Sequence, residues 1–237
     1  MRERDPLLPW LIFTGLSLFA FILLWYFGLI QRMIDSDRTY ISPIICVLYL
    51  LSSLHCLWRI LSVSREGAAA EKTGEAVARD GLGSPGGAGL VARHIRDLVT
   101  KSSHQPGKRV DQTLMLRVLA DRLRGSNVFG AFASDTMLKL GLLGTIIGFI
   151  MMLAPIGALD PENRAAVRSS MSLMSDGMAV AMYTTLVGLA ASILLKVQYS
   201  ILDSATSKVF AYAVDLTEVH VVSALEGSGL QSGSPAE

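Results

Sequence analysis

Four long apolar stretches set the pattern of this chain: Leu7 to Ile30, Tyr40 to about Val63, Met137 to Ala158 and Gly177 to Leu195. Each is long enough for the roughly 20 helical residues that cross a bilayer's hydrocarbon core at about 1.5 Å of rise apiece. Backbone groups facing lipid must be satisfied within their own segment, so all four predict helices. The first stretch carries no charge and has no small-residue cleavage site before Gln31 and Arg32, so it reads as a retained span and not a cleaved leader. His55 and Arg59 sit near the end of the second, and Lys139 and Lys196 are placed to snorkel toward one side.

Between and after these stretches the periodicity changes. Glu66 to Gly89, "EGAAAEKTGEAVARDGLGSPGGAG", turns glycine-rich and poor in apolar residues in its second part, and reads as a flexible tether. Val91, Ile95, Leu98 and Val99 then fall at helical spacing, as do Leu114, Val118, Leu119 and Leu123. Asp111 is placed to cap the second of these amphipathic helices and Gly125 to stop it. After the fourth span the helical pattern continues to about Leu225 with no turn signal, and "GSGLQSGSPAE" has the composition of disorder. The expected fold is all-α: an integral membrane protein with four transmembrane helices, the last two extended into the cytoplasm. Its expected segments are an N-terminal transmembrane hairpin over 1–63, a cytoplasmic loop with the tether over 64–109, a helical domain over 110–226 and a tail over 227–237.

Composition agrees with a membrane class, since 51% of the 237 residues are apolar against 17% charged. A formal charge of +1 gives no electrostatic reason to expect nucleic acid. Of the 21 basic residues, 12 lie between Arg65 and Lys139, which places the long loop and both termini in the cytoplasm. Trp10, Trp25, Tyr26, Tyr40 and Trp58 lie near span ends and read as interface anchors. Cys46 and Cys56 share one apolar segment and read as small packing residues. "DPENRAAVR", Asp160 to Arg168, reads as a solvated turn and helix start. The chain shows no nucleophile with a base, no metal-ligand spacing and no phosphate loop, so no enzyme and no cofactor are expected.

None of the four stretches contains Asp or Glu, the usual proton relays inside membranes. What they hold is a small, hydroxylated face. Gly141, Thr145 and Gly148 fall at i, i+4, i+7 with Gly144 beside them, and Ala181, Thr185 and Gly188 repeat the spacing, flanked by Thr184, Gly188 and Ser192. Such faces let membrane helices pack closely, and packing is the plain explanation for the glycines. Each threonine can bond back to its own helix or line a polar pocket, where a hydroxyl serves either protonation state of a facing acid. His55 has no acid within reach on its own helix and reads as a histidine hydrogen-bonded to backbone.

"LGLLGTIIGF" after a cytoplasmic loop, followed by "GMAVAMYTTLVGLAAS", resembles the core of the MotA/TolQ/ExbB proton-channel family over roughly residues 110 to 225. The resemblance implies an inner-membrane homopentamer around two copies of a single-span MotB/TolR/ExbD-like partner, whose transmembrane aspartate carries H⁺ or Na⁺ and whose flow drives a rotary motor. It implies that Thr145 and Thr185, with Thr184 next to them, line the ion path, while Gly141, Gly144, Gly148, Ala181 and Gly188 are expected from their spacing to pack the helices. The alternative from another class is a passive membrane scaffold that conducts no ions.

Overall fold

The computed structural model describes residues 7–28, 30–31, 39–80, 89–104, 112–125, 127–158 and 163–222. All of its regular elements are helical: α1 (Leu7–Tyr26), α2 (Ile41–Asp80), α3 (Leu90–His104), α4 (Thr113–Arg124), α5 (Asn127–Leu153) and α6 (Arg164–Leu216). A 3₁₀ turn, Ala154–Ala158, follows α5, and a π-helical turn, Thr217–Val222, follows α6. Three helical stretches are long and apolar enough to cross a membrane, Ile41–Val77, Asn127–Ile156 and Ala166–Val222. The most apolar windows of these stretches are only 22%, 22% and 28% buried within the chain. Most of their apolar surface therefore faces outward, an arrangement suited to lipid or neighbouring chains and not to water.

α1 is shorter than the apolar run from which it was expected, with a described apolar helix of Leu7–Leu23. Its end tightens as Gly28 N bonds Trp25 O at 2.9 Å, and Gly28 takes a positive φ of 68° that stops the helix. Trp10 is corrected as an interface anchor, because it is buried at 5% exposure, whereas Trp25, Tyr26, Tyr40 and Trp58 are exposed. Cys46 and Cys56 are unbridged thiols, half-buried and buried.

The described residues divide into two compact units. One draws on 8–57 and 127–200, and buries Ile45, Met137, Val180 and Leu195 completely. The other draws on the described residues within 58–125 and 201–222, and its core joins Ala70, Val77, Val91, Ile95, Leu98, Leu119, Leu123, Ala213, Leu216 and Val221. α2 continues beyond the end of the second apolar stretch at about Val63 and stays helical to Asp80, through the first part of the Glu66 to Gly89 segment. Alanines at 68, 69, 70 and 76 favour helix, and Ala70 and Val77 find a core to enter. Residues 81–88 of the tether, Asp111 and the tail past 222 lie outside the described residues.

Long-range side chains cap the amphipathic pair. The Glu66 carboxylate accepts from Leu90 N at 2.9 Å, starting α3. At the other end of the pair, Arg59 donates to Leu123 O at 2.9 Å and Arg124 O at 3.3 Å, meeting the open carbonyls of α4 with a positive charge. Gly125 ends α4 at φ 44°. Leu119 and Leu123 are buried, but Leu114 and Val118 are exposed at 74% and 50% and edge a cavity of about 200 Å³ between α3 and α4. His94 lines that cavity, 5% exposed, and its Nε2 has no hydrogen-bond partner among the described residues.

Burial holds the His94 imidazole below its ordinary pKa, with the Asp97 charge pulling the other way. A base depressed in the folded state binds fewer protons than in the unfolded chain, so its stabilising effect is lost as pH falls through the ordinary histidine range near about 6.5. Amide protection in α3 and α4, corrected for the intrinsic slowing of exchange at lower pH, is expected to fall between about pH 7 and 5.5 in the wild type, and His94→Asn is expected to remove most of that slope. Equal slopes in the two proteins would contradict this role for His94.

Candidate functional site at the seam of α5 and α6

α5 and α6 meet along their small residues. A Cβ at Gly188 would come within 2.7 Å of Gly141 Cα and 2.9 Å of Met137 O, and one at Gly141 within 3.1 Å of Gly188 Cα. A Cβ at Gly148 would fall 2.6 Å from Ala181 N and 2.7 Å from Gly177 O, and 2.8 Å from the Ala181 methyl. Backbone touches backbone at both points, which no larger residue allows. Gly144 makes room for the side chain of Thr184. Gly177, which the small-face pattern omitted, lies against Met152 N, where a Cβ would come within 2.5 Å. Its place as the first residue of the apolar run hid it, although it sits four residues before Ala181.

Between these contacts the Thr145 and Thr185 hydroxyls bond to each other across the seam. Each also reaches Gly141 O at 3.3 Å. Two hydroxyls hold two protons, so one serves the pair and the other goes to the carbonyl. Both threonines are half-buried, whereas Thr184 is fully buried and donates to Val180 O at 2.9 Å and Ala181 O at 3.2 Å of its own helix. The structure thus brings Thr145 and Thr185 together and sets Thr184 apart, as a back-bonded packing residue on Gly144.

Further along α6, Ser192 meets Ser134 of α5 with their Oγ atoms 2.9 Å apart, and Tyr199 meets His55 of α2. The His55 Nδ1 lies 2.8 Å from the Tyr199 hydroxyl, 144 residues away in sequence, a pairing that no local sequence signal reveals. Lys139 pairs with Asp135 at 2.6 Å, both well exposed, so the pair marks a solvated edge more than a source of stability. Among the described residues no cluster of three His, Cys, Asp or Glu could hold a metal. A hydroxyl pair can donate to and accept from a visiting group, but neither hydroxyl carries a proton as charge near neutral pH.

Outward-facing apolar helices that close on a hydroxylated seam define a helical membrane protein. A family model of the MotA/TolQ/ExbB proton channel family matches residues 88–213, more than half of the 237-residue chain, and the chain belongs to this family. Its class is therefore that of proton channels in energy-transducing complexes. No curated protein and no solved structure is matched.

The seam makes a contrast testable. Gly148→Ala must push backbone aside and is expected to destabilise the protein by about 1–3 kcal/mol, whereas Gly15→Ala on α1 meets nothing within 4 Å and should leave stability unchanged or slightly higher. Thermal unfolding of the two variants in the same detergent checks this, and equal midpoints would contradict it.

Proposed function

We propose that this chain is the ring-forming subunit of a bacterial inner-membrane, ion-driven motor or energy-transducing complex, and that Thr145 and Thr185 form part of the pore wall. The observation that carries this reading is the half-buried Thr145–Thr185 hydroxyl pair in a chain whose four apolar stretches contain no acid. Such a wall needs a carrier from elsewhere. A single-span MotB/TolR/ExbD-like partner with a transmembrane aspartate supplies it, two copies within five of this chain. The chain spans the membrane four times with both termini cytoplasmic, and it is not an enzyme. The ion is H⁺ in keeping with the family, with Na⁺ as the alternative.

Each elementary charge that crosses is worth about 2.3 kcal/mol per 100 mV of membrane potential. The hydroxyl pair serves the carrier in both states, accepting from the protonated acid and donating to the ionised one. The inter-helix bond itself is worth only about 0.6–2 kcal/mol, so its value is in positioning.

The second reading, a passive scaffold, draws on the Gly141 carbonyl, which can satisfy a hydroxyl of the pair without any partner. The two readings part on one variant. Thr145→Val with Thr185→Val keeps the branched shape, and is expected to abolish potential-driven function while the complex still assembles. Full activity in that double variant would remove the pore assignment.

A further inference from the structure

Two features set the end of α4 at the edge of the membrane. Arg59 lies on α2 four residues before the second apolar stretch closes at about Val63, a distance of about 6 Å along a helix. Its guanidinium holds Leu123 O at 2.9 Å and Arg124 O at 3.3 Å, so the last turn of α4 sits at that depth. Further along the chain, the membrane-length stretch Asn127–Ile156 opens two residues past Gly125. Gly125 permits the approach, because a Cβ there would fall 2.8 Å from a terminal nitrogen of Arg59.

That turn is basic. α4 carries Arg117, Arg122 and Arg124 against one acid, Asp121, and both arginines of its last turn are exposed. Among the described residues no ion pair occupies Arg122 or Arg124, although Asp97 shares a cavity wall with Arg122. Arg59 already meets the open carbonyls of the turn, so neither of these two charges is needed to close the helix. Beside Arg59, Trp58 is 68% exposed, and Leu61 is 37% exposed. An exposed indole at this depth fits the zone between hydrocarbon and headgroups. All of these residues belong to one compact unit.

What such a surface meets in a bilayer is a headgroup. A guanidinium is planar and weakly hydrated, and it donates parallel bonds to phosphate oxygens. Its stem can lie on apolar surface while its charge reaches the interface. A zwitterionic headgroup offsets its phosphate with an ammonium, whereas an anionic one leaves a net charge for the two arginines to oppose. Each arginine near the surface favours anionic lipid by a factor of about five. A free phosphate would use the arginines and leave the apolar side at Trp58 and Leu61 uncovered.

We propose that Arg122 and Arg124, together with Trp58, form a docking site for an anionic phospholipid headgroup, which holds the α3–α4 hairpin to the cytoplasmic face of the membrane. The inference rests on the membrane topology of the reading above and not on its pore. Its test uses the full chain in vesicles of phosphatidylcholine and phosphatidylglycerol, with the acyl chains of one lipid or the other brominated. Trp10→Phe and Trp25→Phe leave Trp58 as the reporter, and its quenching gives the relative affinity of the two lipids. Phosphatidylglycerol is expected to be preferred at least about tenfold. Arg122→Gln with Arg124→Gln is expected to lower that preference at least about fivefold, with quenching by brominated phosphatidylcholine alone unchanged. A preference near one in the parent chain, or an equal preference in the glutamine pair, would overturn the site. Loss of the preference on adding inorganic phosphate at constant ionic strength would also overturn it, in favour of a free-anion site. A Trp58 that neither lipid quenches would overturn the topology as well.

Discussion

The contact between Gly141 and Gly188 is the constraint on which the rest of the site depends. Lipid offers no hydrophobic drive to bring helices together, so α5 and α6 hold by close packing, and close packing requires that their backbones touch. Once they touch, the residues one turn away are fixed to within a side chain's reach. The Thr145 and Thr185 hydroxyls then meet across the seam, and Gly148 seats the backbone of α6 at Gly177 and Ala181. A methyl group at Gly188 would fall 2.7 Å from Gly141 Cα, so it would separate the hydroxyls before it altered any polar group.

The same economy explains what kind of site this is. The seam satisfies its own polar groups: two hydroxyls share a bond and a carbonyl, two serines share a bond, and Thr184 returns its proton to its own helix. Nothing in it demands a metal or a cofactor. It offers polarity without charge, which suits a wall past which a carried ion moves, and it leaves the charge to another group.

Much of this was legible in the sequence because membrane helices write their constraints locally. Small residues at i, i+4 and i+7 located Gly141, Thr145 and Gly148, and the same spacing located Ala181, Thr185 and Gly188, all of which meet at the seam. Periodicity also found α3 and α4, and Gly125 as the stop of α4. Contacts made at long range were not legible. Glu66 starting α3, Arg59 closing α4 and Tyr199 holding His55 each join residues from 24 to 144 positions apart. Leu114 and Val118 shared the apolar period of Leu119 and Leu123 but face outward, because four apolar positions over so short a helix span more than one face. The run of α2 beyond Val63 was illegible for the converse reason: its alanines are indifferent to burial alone and become helix where Ala70 and Val77 meet a core.

The central claim is that this seam is the wall of a ring closed around a foreign acid. Its most direct measurement is the native mass of the complex, purified from membranes together with a single-span protein that carries an aspartate in its span. The account predicts five copies of this chain with two of the partner. A lone monomer, or a symmetric dimer with no partner bound, would contradict it.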